Sequence, residues 1–237
     1  MPTDRLFTKF SYALRAIRQR GVRFLMVYFR ESVWFDLRHG TSTSARVPKD
    51  EQTITGDETE RGNGLLYVAS FTSVTLRSVG IARRILGPER FADSQFVDLG
   101  CGKGKALLVH ALRGGASQRR ASIGIEYDPT LAELARSNIR KCGLSEKMVS
   151  VVTDSATNLA RHVTAGTLIV YIYNSFQGAT MRQVLSEMEA FPHVLIYVDP
   201  VEREMLSEHG YVIHKEVKGD YNADTWLVAA RGIASSG

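Results

Sequence analysis

The chain has 237 residues, 44% of them apolar, which is enough for one sizeable core and a small appendage. No apolar run approaches the roughly 20 residues that a bilayer-spanning helix needs; the best candidate, Phe24 to Phe29, is far shorter. Two cysteines, Cys101 and Cys142, exclude a disulfide framework and stand in no metal-ligand spacing, which fits a reducing, cytoplasmic setting.

The net charge is +5, and its placement matters more than its size. Arg5, Lys9, Arg15, Arg18, Arg20, Arg23 and Arg30 face one acid, Asp4, so the first stretch is strongly basic and the remainder is close to neutral. A globally basic surface for nucleic acid is therefore not supported, and the sequence carries no strong nucleic-acid signal. The basic stretch, Leu6 to Tyr28, places Leu6, Phe10, Ala13, Leu14 and Ile17 at helical spacing with arginines between them. Three readings of this amphipathic helix stay open. It packs on the main body as an accessory helix, it contacts a membrane surface or an acidic partner, or it is an Arg-rich transit segment.

Thr41 to Asn63 is polar and reads as a loop, and the expected organisation is a basic helical extension with polar loop over 1–63 and a main domain over 64–237. Leu65 to Leu86 has helical periodicity, closed by Gly87-Pro88. From Gln95 short strands and helices alternate. Strands are expected at Gln95–Leu99, Ser122–Glu126, Met148–Thr153, Leu168–Tyr173 and Val194–Val198, with a terminal pair at Tyr211–Val217 and Thr225–Ala230. Helices are expected at Lys105–Arg113, Pro129–Cys142 and Thr180–Ala190. This alternation predicts an α/β fold with a seven-stranded, mostly parallel open sheet and helices on both faces.

Such a sheet binds ligand beyond the carboxyl ends of its strands. The first strand delivers Asp98-Leu99-Gly100-Cys101-Gly102-Lys103-Gly104. The dinucleotide fingerprint needs a third Gly where Lys105 stands, and a Walker loop needs a hydroxyl where Ala106 stands. What remains is an acid at a strand end followed by Gly-x-Gly-x-Gly. An acid there repels phosphate and stabilises a cation.

This segment resembles the first motif of class I S-adenosylmethionine (SAM)-dependent methyltransferases, which are Rossmann-like. The resemblance implies that Asp98 holds the methionine amino end and that Gly100 and Gly102 line it. Cys101 sits between them in the cofactor loop and reads as a small buried filler. Glu126 ends the second strand, where a carboxylate accepts bonds from a ribose diol; the next acid, Asp128, suits a helix N-cap before Pro129. Asp154 follows the third strand, where the family often places an acid against the adenine amino group; the other reading is a helix cap. Tyr67 is a candidate to close over the cofactor.

Tyr173-Asn174-Ser175-Phe176 ends the fourth strand, which in the family faces the methyl group. It lacks the prolines of the Asn-Pro-Pro-Tyr motif found in amino-methylating enzymes. It more nearly resembles the Asn-Asn-Phe stretch of the non-SET histone-lysine methyltransferases and the Asn-Pro-Phe of a large bacterial methyltransferase set. The second comparison extends to Phe35-Asp36…Gly40 and Gly64-Leu65-Leu66-Tyr67. Asn174 and Phe176 are the catalytic candidates, Asn174 to accept a hydrogen bond from an attacking N–H and Phe176 to wall the channel or stack on the acceptor. Asp199, before Pro200, is either a base or a turn former, and no histidine has a visible partner. The expected activity is methyl transfer from SAM, without a metal, to a nitrogen of a protein side chain or small molecule. The alternative is a SAM-binding regulatory or scaffold module without turnover.

Overall fold

The computed structural model describes residues 22–44, 69–115, 117–219 and 224–233. The first part of the expected basic helix, most of the polar stretch, Leu65 and Tyr67 lie outside the described residues.

Helix α1 runs over residues 22–39 and holds a widened π turn at Phe29–Val33 before its last segment, Trp34–His39. Gly40 ends it in the left-handed conformation. Asp36 then ties down the following turn, accepting from Thr41 Oγ1 (2.6 Å), Thr43 N (2.8 Å) and Ser44 N (2.8 Å). Burial would raise this carboxyl, but the hydrogen bonds from Ser44, Thr41 and Thr43 hold it below the ordinary carboxylate range.

Helix α2, Thr72–Asp93, is two helical segments that meet at Gly87-Pro88, where the sequence predicts a stop. Gly87 breaks the helical path with φ 72° and ψ 167°, and Pro88 then starts a further helical turn, because a proline at the first helical position loses no hydrogen bond. The dipeptide thus ends the first segment and starts the second.

The sheet has the order β3-β2-β1-β4-β5-β7-β6. Its strands are β1 (Gln95–Leu99), β2 (Ser122–Glu126), β3 (Val149–Thr153), β4 (Leu168–Tyr173), β5 (His193–Val198), β6 (Val212–Val217) and β7 (Trp226–Arg231). The first five are parallel, and β7 runs antiparallel between β5 and β6. The central strands are buried along their whole length, as a sheet covered on both faces requires. One core layer joins Phe96, Tyr171 and Ile196 to α2, to α3 (Lys105–Val109, continued by a π turn at His110–Gly114) and to α4 (Pro129–Lys141). The other joins Val97, Val170 and Tyr197 to α5 (Gly178–Met188) and to a 3₁₀ turn at Ala156–Arg161. Alternate residues of one strand thus serve opposite layers. Asp128 caps α4, accepting from Thr130 N (2.7 Å) and Leu131 N (3.1 Å) ahead of Pro129, as the sequence predicts.

Gly124, in the middle of β2, is where α3 comes closest to the sheet. A Cβ there would stand 2.6 Å from Leu107 Cδ1 and 2.7 Å from Cys101 Sγ, both buried. Gly124→Ala is therefore expected to cost about 1–3 kcal/mol through overpacking. Calorimetric unfolding checks this as a melting temperature lowered by several degrees.

Helix α1 is fastened to this body. Glu31 is buried, its Oε2 accepting from Ser73 N at 2.9 Å, and its main-chain oxygen accepts from Thr72 Oγ1 (2.9 Å) and from the buried Lys105 Nζ. Lys105 also lies 5.3 Å from the Phe35 ring centre. Burial pushes its ammonium down to about 8, against the pull of Asp36 and Glu31.

Candidate functional site

The strand order reverses between β1 and β4, and the loops leaving these two strands meet there. Gly100, Gly102 and Gly104 all have positive φ, at 70°, 53° and 79°. This path folds the loop over the end of β2, with Gly100 N and Cys101 N both donating to Ile125 O (2.9 and 3.2 Å). At Gly100 the requirement is also steric, since a Cβ would stand 2.6 Å from Ser175 Cβ and 3.5 Å from the Phe176 ring. The structure thus brings the glycine loop against Ser175 and Phe176.

Beneath the loop are two buried acids, Asp98 and Glu126, 4% and 8% exposed. Glu126 accepts from Gly102 N through Oε2 (2.6 Å) and from Asp128 N through Oε1 (2.9 Å), so it braces the loop. Burial first, and then the charge of Glu126, push the Asp98 carboxyl up to about 8, opposed by the Leu107 N–H at the start of α3. Burial likewise raises Glu126 to about 6, opposed by the N–H groups of Asp128 and Gly102. Among the described residues, neither acid takes part in an ion pair. Cys101 packs under Gly124, and burial with the two acids drives its thiol well above the ordinary range, so it stays protonated.

Asp154 follows β3 and is committed locally. Its Oδ1 accepts from Ser155 N (2.7 Å) and Asn158 Nδ2 (2.8 Å), and its Oδ2 is 2.6 Å from His162 Nε2. These bonds outweigh burial and hold the carboxyl below its ordinary range. Of the two fully buried histidines, His193 is satisfied at both ring nitrogens, by Phe191 O and the Tyr211 hydroxyl, while His110 pairs through Nδ1 with Ser122 Oγ and leaves its Nε2 without a partner.

A second cluster sits where β4, β5 and β7 meet. Asn174 has φ 38° and Asp199 φ 49°, the only two non-glycine residues with positive φ among the described residues. Asn174 Nδ2 donates to Asp199 Oδ2 at 2.8 Å. A carboxylate accepts only from the amide nitrogen, so this bond fixes which way the amide faces. Asn174 Oδ1 is buried with no hydrogen-bond partner. Close by, the Tyr173 hydroxyl donates to Asp224 Oδ1 at 3.2 Å. Burial raises the Asp224 carboxyl to about 6, with Asp199 and Glu31 adding to the rise.

Sequence reasoning names Asn174 but passes over Asp224 and Glu31. Asp224 precedes a strand that closes the sheet antiparallel, so nothing local ties it to β4. Glu31 lies among arginines on a helix whose partner, the start of α2, is distant in sequence.

Comparison with solved structures finds the same fold elsewhere. A protein from Clostridium thermocellum described as an rRNA methylase is 15% identical, with a TM-score of 0.50 over 68% of this chain and 96% of that one. A ribosomal protein L11 methylase from Lactobacillus delbrueckii subsp. bulgaricus is 13% identical, with a TM-score of 0.50 over 80% of this chain and 91% of that one. The fold is Rossmann-like. No protein-family model matches the chain, and no curated protein matches it. The narrower resemblance of Asn174-Ser175-Phe176 to the non-SET histone-lysine methyltransferases and the Asn-Pro-Phe bacterial set finds no support in these comparisons.

Proposed function

We propose that the chain is a SAM-dependent methyltransferase acting on a nitrogen. The observation that carries this reading is the pair of buried acids Asp98 and Glu126 under a glycine loop, both raised by burial. A ligand bearing an ammonium group, a ribose diol and no phosphate meets those groups in kind. Asp98 takes the ammonium. Glu126 keeps lone pairs for the diol while bracing Gly102. Gly100 and Gly102 give backbone contact, and Asp154, with Tyr67, remains a candidate for the adenosine end. SAM supplies a methyl group on a sulfonium, and the carbon–sulfur bond breaks as the bond to the acceptor forms.

The chain's own residues act on the acceptor. Asn174 Oδ1 accepts an N–H and so turns the nitrogen lone pair toward the methyl. Asp199 holds the Asn174 amide in that sense. Phe176, packed beside Gly100, walls the path between the two sites. Asp224, near 6, is in range to take the proton that an ammonium acceptor must lose.

The acceptor class follows from neither fold nor charge. The two structures with the same fold are described as acting on rRNA and on a ribosomal protein. RNA therefore joins protein side chains and small molecules as an acceptor class, although the near-neutral body gives no strong nucleic-acid signal. The test is calorimetric titration of purified protein with SAM, followed by labelling of cell lysate with radioactive methyl and treatment with ribonuclease or protease. Binding with label on any nitrogen acceptor is the expected result. Binding without label turns the reading into a SAM-binding module, and absence of binding overturns it.

A further inference from the structure

Helix α1 shows its two sides unequally. Glu31, Ser32 and Phe35 are buried against the body. The outward side carries Val22, Met26, Phe29, Trp34 and Leu37, between 49% exposed at Phe29 and 65% at Leu37. These are five of the eight large hydrophobic residues exposed among the described residues, gathered on one short helix.

The π turn brings Trp34 into this alignment. On a regular helix Val22, Met26 and Phe29 share a face, while Trp34 falls well off it. At Phe29–Val33 the Trp34 N–H bonds back to Phe29 O, five residues earlier, and the turn takes in one extra residue. Trp34 comes back into line, Leu37 stays on the same side, and the Phe29 and Trp34 ring centres lie 6.5 Å apart.

Charge on the same helix is equally one-sided. Arg23, Arg30 and Arg38 are exposed. Of the two acids, Asp36 holds the turn at residues 41–44, and Glu31 gives one carboxylate oxygen to Ser73 N. Among the described residues, Arg30 alone of the three pairs with an acid, Glu31, at 3.0 Å, with its own side chain 74% exposed. The first 30 residues continue the basic character.

We propose that the outward face of α1 docks on an anionic lipid surface, with the helix in the plane of the interface. Val22, Met26, Phe29, Trp34 and Leu37 enter the boundary between headgroups and acyl chains, and the arginines meet the phosphates. A tryptophan at that depth is the usual anchor. A second copy of the chain would set arginines against arginines, and a nucleic acid would leave five apolar side chains without a partner. The proposal stands apart from the catalytic reading, since it uses none of the residues placed at the cofactor or acceptor.

The test is flotation of the full chain with phosphatidylcholine vesicles, with or without about 30% phosphatidylglycerol. The expected result is binding at least about tenfold stronger to the anionic vesicles, weakened by salt. The chain has two tryptophans, and Trp226 is buried. A blue shift on binding is therefore expected from Trp34 and is lost in Trp34→Phe while flotation persists. The double variant Phe29→Asp/Leu37→Asp loses flotation but keeps the wild-type melting temperature and SAM titration. Three results would each overturn the proposal. These are no flotation with anionic vesicles at low salt, flotation untouched by the double variant, and a dimer or a complex with an acidic protein that the double variant dissolves while vesicles go unbound.

Discussion

Asp98→Asn is expected to weaken SAM binding by about 10²–10³-fold, the effect of removing one member of a buried ion pair. The same change is expected to stabilise the ligand-free protein at neutral pH. Both effects follow from a carboxyl that burial and Glu126 hold near 8. The folded pKa lies above the unfolded one. Between about pH 4 and 8 the folded state therefore keeps a proton that the unfolded state has lost, and stability falls as pH rises through that window. An amide has no such penalty, so the advantage of the variant grows with pH up to about 8. Ligand binding runs the other way. An ammonium beside Asp98 drives off its proton, so affinity rises as the pH approaches 8, by about tenfold per pH unit while Asp98 is mostly protonated. Near 8 the ligand's own α-amino group begins to lose its charge and the rise ends. Titration in two buffers of different ionisation enthalpy reads the released proton directly. Wild-type protein should release close to one proton at pH 6.5, and Asp98→Asn should release none. A wild-type affinity that does not move between pH 6 and 7.5 would remove Asp98 from contact with a cation.

The strands that build this site are legible in the sequence because their signals are local. Val97-Asp98-Leu99 is an apolar strand ending in glycines, and Asp128-Pro129 is a cap with its first helical residue, so β1, β2 and the start of α4 fall where expected. The failures occur where the outcome depends on distant atoms. Gly87-Pro88 ends one helical segment as expected, but a second segment, unannounced by any local signal, follows to Asp93 because Phe91 and Ala92 find burial in the body. The basic helix expected to end at Tyr28 also runs on to His39. A π turn shifts the phase by one residue, and no composition signal announces it, so Trp34 joins the outward face of Val22, Met26 and Phe29. The partners of Glu126 show the same limit. Its place at the end of β2 is a matter of spacing, while its bracing of Gly102 depends on a loop that crosses to Ile125.

Asn174→Ala is expected to lower methyl transfer about 100-fold, a loss typical of a misplaced reacting atom, while SAM affinity stays within about threefold. The reasoning starts from the backbone. Asn174 and Asp199 both hold left-handed conformations at the ends of neighbouring strands, which side chains adopt at a cost of order 1–3 kcal/mol unless something requires them. Asn174 N donates to Val198 O and Asp199 N to Thr225 O, so the two turns are locked to β5 and to the start of β7. Their side chains then meet at 2.8 Å and leave the Asn174 carbonyl oxygen buried without a donor. Leaving a buried acceptor unpaired costs about 1–3 kcal/mol, which a donor on the methyl acceptor recovers. Asn174→Gly separates strain from chemistry. Glycine accepts φ 38° freely, so this variant should melt at or above the wild-type temperature and still lose activity as Asn174→Ala does. Asp199→Asn tests the orientation alone. With an amide on both sides, neither partner dictates which way the other faces. The turnover number should then fall by about tenfold, less than for Asn174→Ala, with an unchanged KM for SAM. Equal activity in Asp199→Asn and wild type would separate Asp199 from the positioning of Asn174. Full activity in Asn174→Gly would show that the strained turn, and not its side chain, is what the site uses.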